Sequence, residues 1–117
     1  MRYSWLLPAL FLSALIAGLQ FYAVNNFLYW YYPWFDVPMH LLGGVVIATI
    51  LVAFLHDFRP KLFVLFATAI FVGWEIFELY FGLPRETNYF FDTALDMLND
   101  SLGATAVYAI ARITVWR

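Results

Sequence analysis

The stretch Asp92-Thr93-Ala94-Leu95-Asp96-Met97-Leu98-Asn99-Asp100-Ser101-Leu102-Gly103-Ala104 decides how the rest of the chain is read. It carries acids at i, i+4 and i+8, then runs without a break into the apolar residues 104–113. On a helix each four-residue step rotates only about 40°, so the three carboxylates form one stripe. Such a stripe is ordinary on a water-facing helix. Here it opens what is patterned as a membrane span, where an ionisable group is costly and points to function.

The composition around it supports a membrane setting. Of the 117 residues, 65% are hydrophobic and only 12% charged, with a mean hydropathy of +0.79. A soluble domain carries roughly twice that charge and far less apolar content. This chain lacks the polar surface to cover itself in water and is expected to be one integral membrane domain over residues 1–117. The net charge of −2 includes no basic patch, so nucleic acid is excluded as a partner. The absence of cysteine rules out disulfides, thiolate metal sites and a cysteine nucleophile.

Working outward, four apolar segments are long enough to cross a hydrocarbon core of ~30 Å at ~1.5 Å per residue. They are predicted at about residues 4–24, 37–55, 62–81 and 92–113, an all-α, four-helix transmembrane bundle. The first is expected to be an uncleaved anchor, because its apolar run continues past any plausible signal cut. Residues 27–35, rich in Tyr, Trp and Phe, suit an interfacial aromatic belt, or a wall guiding a lipid tail toward a site. Asp36 and Pro38 suit the start of the second span. Gly43, Gly44 and Ala48 give that span a small face for close helix approach, as Ala69 and Gly73 do for the third.

Charge asymmetry orients the four-span reading. Arg2, Arg59, Lys61, Arg112 and Arg117 fall on one side and only Arg85 on the other. The positive-inside bias then puts both termini in the cytoplasm and the aromatic loops outside. Asp36 and His40 lie at the outer start of the second span, and Glu75 and Glu78 near the outer end of the third. Asp92, Asp96 and Asp100 occupy the outer half of the fourth. Six of the eight acids and one of the two histidines therefore share a leaflet.

Six carboxyls cannot all be ionised together in a low-dielectric pocket, so they must be partly protonated, open to water, or neutralised by a cation. Carboxylate oxygens with one imidazole suit Mg²⁺, Mn²⁺ or Ca²⁺, and with His also Zn²⁺ or Fe²⁺. The expected ligands of a divalent metal ion are His40, Glu75, Asp92, Asp96 and Asp100, with Glu78 or Asp36 as base or proton relay. Such an ion at the outer leaflet would polarise a phosphoryl oxygen or activate water. Arg85, the basic residue on that side, would clamp the phosphate of a lipid headgroup. Cation or proton transport through the cluster is the alternative. A non-catalytic membrane scaffold, whose polar residues only hold helix register, is the second alternative. Simpler roles compete residue by residue: Asp36 and Asp92 as helix caps, His40 as a hydrogen-bonded core histidine, and Glu75 as a partner of Arg85. Membrane lipids and further copies of the chain are the expected partners.

Asp36-x-x-x-His40 opening one span and Glu75-x-x-Glu78 ending the next are joined by Asp92-Thr93-x-x-Asp96-x-x-x-Asp100-x-x-Gly103-Ala104 opening the last. Together they resemble small bacterial inner-membrane proteins of the YjdF type. More distantly they resemble the VanZ-like family, linked to glycopeptide resistance. The resemblance covers residues 36–104 and implies a shared membrane site at Asp36, His40, Glu75, Glu78, Asp92, Asp96, Asp100 and Gly103. It also implies the bacterial inner membrane as location. The VanZ-like pattern usually has Asn where Asp100 stands, and an Arg nearer the acids than Arg85.

Overall fold

The computed structural model describes residues 1–83 and 87–117. The described chain is all-α: α1 (Tyr3–Asn25), a single turn α2 (Leu28–Tyr31), a 3-10 turn (Pro33–Phe35), α3 (Asp36–Phe54), α4 (Pro60–Phe81) and α5 (Tyr89–Thr114). Local chemistry sets the ends. Pro60 begins α4, where its missing N–H costs nothing. Gly82 ends α4 in the left-handed region at φ 62°, and its N–H returns to the Glu78 carbonyl. Asn88 caps α5, its side-chain oxygen accepting from Phe91 N at 3.2 Å. That cap lies one turn before Asp92, so capping does not account for the Asp92 carboxylate.

α3 is the axis of the bundle. α1, α4 and α5 each pack on it, and its most extensive contact is with α5. The reason is a pair of glycines. A Cβ at Gly44 would lie 2.0 Å from the Asp100 carbonyl oxygen, and one at Gly103 would lie 2.1 Å from that of Leu41. The two backbones therefore meet through Cα–H groups, the close approach that small residues permit between helices in lipid.

The interior divides along the bundle axis. At one end, Ala48, Leu51, Val52, Phe63, Ala67, Phe71, Ala104, Val107, Ala111 and Trp116 form an apolar core. Arg2 closes that end, donating through Nη1 to the Leu55 carbonyl at 2.7 Å and through Nη2 to the Val115 carbonyl at 3.3 Å. A cation there meets the carbonyls at the ends of α3 and α5, where helix dipoles favour positive charge. Arg112 covers the Phe58 ring at 4.7 Å on the same side. Toward the other end the buried residues are His40, Glu75, Glu78, Asp92, Asp96, Asn99 and Asp100.

Among the described residues, three segments are long and apolar enough to cross a membrane: Tyr3–Asn25, Pro33–Phe54 and Pro60–Phe81. α5 has 26 residues but does not qualify by composition, because Asp92, Asp96, Asp100 and Arg112 interrupt its apolar character. Large apolar side chains such as Leu7, Phe11 and Phe21 on α1 and Leu65 and Ile76 on α4 face outward. The long dimension is 43 Å, matching the ~40–45 Å of a bilayer with its headgroup regions.

Candidate functional site

The glycine crossing builds the polar site. His40 precedes Gly44 by one turn of α3, and Asp100 supplies both the carbonyl that Gly44 approaches and the carboxylate that reaches His40. His40 Nδ1 lies 3.2 Å from Asp100 Oδ1. On the opposite edge of the ring, Nε2 lies 3.5 Å from Asp96 Oδ2 and 3.6 Å from Asp36 Oδ1. The imidazole is thus held among three carboxylates drawn from two helices.

α4 completes the arrangement. Glu75 and Glu78 are buried against α3 and α5, and Thr93 Oγ1 donates to Glu75 Oε2 at 3.0 Å. Among the described residues, three buried polar atoms have no hydrogen bond: Glu75 Oε1, Asp96 Oδ2 and Asn99 Nδ2. Leaving a buried charged oxygen unsatisfied costs more than the typical ~1–3 kcal/mol for a neutral group. For two such oxygens on neighbouring helices, a proton on the carboxyl, a water or a bound cation would each supply the missing partner.

The Nε2 separations are those of ion pairs, and they also suit two ligand atoms sharing one cation. A hydrogen bond from nitrogen to oxygen spans about 2.7–3.2 Å, and the Nε2 separations are longer. Two ligands bound tetrahedrally at ~2.1 Å lie ~3.4 Å apart. Ligand atoms of His40, Glu75, Glu78 and Asp96 all lie within 4.8 Å of one another, as do those of Asp36, Asp92 and Asp96. Asp96 belongs to both groups.

Of the expected metal ligands, His40, Glu75 and Asp96 come together, with Glu78 among them. Asp92 joins the second group with Asp36. Asp100 belongs to neither group and contacts His40 on Nδ1. With its proton on Nδ1, His40 donates to Asp100 and presents the Nε2 lone pair to Asp36 and Asp96; carboxylates commonly orient metal-binding histidines this way. Arg85 lies outside the described residues.

The polar cluster opens on a cavity of about 540 Å³, within the ~300–1,000 Å³ usual for ligand pockets. Asp36, His40, Glu78 and Asp100 line its polar end. Tyr29 and Gln20 stand at its edge, and the Tyr29 hydroxyl donates to Gln20 Oε1. Burial, then the Asp36 and Glu78 carboxylates, push the Tyr29 hydroxyl well above its ordinary range, so it stays a neutral donor.

Tyr29, Gln20, Thr93 and Asn99 were not among the expected site residues. Gln20, a lone amide inside an apolar run, carried a readable signal. Tyr29 did not stand out among its aromatic neighbours, and Thr93 and Asn99 were masked by the acids beside them.

A family model described as "Predicted membrane protein (DUF2238)" matches residues 1–117. The chain belongs to that family. Membership in DUF2238 agrees with the resemblance to YjdF-type proteins and with the three apolar helices. No curated protein and no solved structure matches the chain.

Proposed function

We propose that this DUF2238 protein holds a divalent cation between α3, α4 and α5 and uses it to bind the phosphate of a lipid headgroup. The observation that carries the reading is the pair of buried oxygens without a hydrogen bond, Glu75 Oε1 and Asp96 Oδ2, the latter 3.5 Å from His40 Nε2. His40, Glu75 and Asp96 are the inner ligands, Asp92 and Asp36 extend the site through the shared Asp96, and Asp100 holds the His40 tautomer. Oxygen donors with one imidazole favour Mg²⁺, Mn²⁺, Ca²⁺ or Zn²⁺. A cation is required for a phosphate ligand here, since acids alone would repel it. Glu78 and Asp36 line the cavity and are the groups placed to take a proton from water if the bound headgroup is hydrolysed. Arg85, near in sequence, is the proposed phosphate clamp.

In this reading α5 is the fourth crossing, its acids tolerated because they face the bundle interior. Five of the six basic residues then lie toward the end that Arg2 closes, placing both termini in the cytoplasm of a bacterial inner membrane and the cation site in the outer half. Ala48, Val52, Phe71 and Ala104, buried beyond the site, leave no chain of ionisable groups for a cation or proton route through the bundle. The VanZ-like likeness adds no ligand to this scheme.

Asp96→Asn tests it, since Asn keeps the shape and removes the charge. After purification with Mn²⁺, elemental analysis of the wild type is expected to show bound metal, and the variant background metal at an unchanged folded yield. Release of phosphate from a lipid phosphate monoester then separates a hydrolase from a binder. Wild-type protein without metal, or Asp96→Asn with the full wild-type content, would overturn the cation site.

A further inference from the structure

The cavity beside the carboxylates has a shape that the cation site does not need. Its polar end is Asp36, His40 and Glu78, and the walls away from that end are apolar: Ile16 and Ala17 of α1, Ile47 of α3, and Ile70 and Trp74 of α4. Ile70 precedes Glu78 by eight residues of α4, and Ile47 follows His40 by seven of α3, so the apolar walls extend about 10–12 Å from the carboxylates. α1 and α4 each pack on α3, and the cavity lies between them. Ala17, Ile70 and Trp74 are exposed, so its side opens to whatever surrounds the bundle. Around helices that cross a membrane, that surrounding is hydrocarbon.

We propose that this groove seats one hydrocarbon chain of a phosphate-bearing lipid, entering sideways between α1 and α4, with its headgroup at the His40 cluster. The polarity gradient supports it. The groove is charged near the aromatic end of the bundle and apolar toward the middle, the order in which a membrane lipid presents head and tail. A water-soluble ligand has no use for an apolar trench that opens sideways. Moving a chain from bilayer to groove exchanges one hydrocarbon setting for another, with little net gain. Selection therefore falls to the headgroup, and Tyr29 and Gln20 at the edge supply neutral hydrogen-bonding groups to it. The assignment of head to cation rests on the proposed function; the seat of the tail rests on the cavity.

The test uses the full-length protein in nanodiscs containing phosphatidic acid with a diazirine in its acyl chain, together with Mn²⁺. Mass spectrometry is expected to map crosslinks to Ile47 and Ile70, in excess over the outward Leu65. Ala17→Trp fills the groove from an exposed position on α1 and should cut labelling at Ile47 about tenfold, with Mn²⁺ content unchanged. Labelling at Ile47 no greater than at Leu65, or unaffected by Ala17→Trp, overturns the groove while leaving a metal-replete cation site standing. If groove labelling persists in a protein that binds no Mn²⁺, the link between headgroup and cation is overturned instead. If a diazirine-tailed diacylglycerol, which has no phosphate, labels as strongly as phosphatidic acid, the selection through the headgroup phosphate fails.

Discussion

Replacing Gly44 with alanine is expected to pull α3 and α5 apart and to weaken the polar site without touching any of its side chains. The new Cβ would stand 2.0 Å from the Asp100 carbonyl oxygen and 2.8 Å from the carbonyl carbon, both backbone atoms that cannot swing away. Reaching even 3.0 Å, the lower bound of real contacts, requires α5 to retreat by about 1 Å. The same displacement takes the His40–Asp100 contact from 3.2 Å to about 4 Å, beyond hydrogen-bond range. Overpacking costs about 1–3 kcal/mol, and a hydrogen bond to a charged group contributes about 1.5–3 kcal/mol. Better helix propensity returns up to ~1 kcal/mol. A net loss of about 1.5–6 kcal/mol follows, large beside total stabilities of about 5–15 kcal/mol. Gly73→Ala is the control, because a Cβ there meets nothing within 4 Å. Unfolding in mixed micelles and Mn²⁺ titration of both variants supply the readouts. Should Gly44→Ala match Gly73→Ala in stability and cation affinity, the helices do not touch as described and the site does not depend on their crossing.

Two further outcomes follow from the ends of the bundle. Arg2→Met removes the donors to the Leu55 and Val115 carbonyls, and is expected to lower stability by about 1–3 kcal/mol given the partial exposure of the pair. Its Mn²⁺ content should stay at the wild-type level, since the site lies at the other end; a parallel loss of metal would show that the two ends are coupled. Cation affinity should be full near neutral pH and fall as the solution is acidified, because protons compete for carboxylates and for the imidazole lone pair. Isothermal titration from about pH 7 down to about pH 5 checks the sign, and an affinity flat or rising across that window would argue against carboxylate and imidazole ligands.

The residues themselves implied a helical chain with four spanning segments and acids gathered near one end. Among the described residues three helices are long and apolar enough to cross a membrane, and the acids of α5 keep it from qualifying as a fourth. Helical rise sets the depth of each group and helical period sets its face, so Asp92, Asp96 and Asp100 could be aligned, and brought level with His40 and Glu75, before any tertiary contact was known. Neither quantity says how one helix is rotated against its neighbour. That was decided where a missing Cβ lets Gly44 and Gly103 meet the opposing carbonyls. Asp100 consequently lands on His40 Nδ1, while Asp36 and Asp96 face Nε2, a division that the even spacing of the α5 acids does not reveal. The groove between α1 and α4 is likewise a product of packing: it is the space left when both helices lean on α3, and its walls come from residues far apart in the chain that look like ordinary lipid-facing positions one by one.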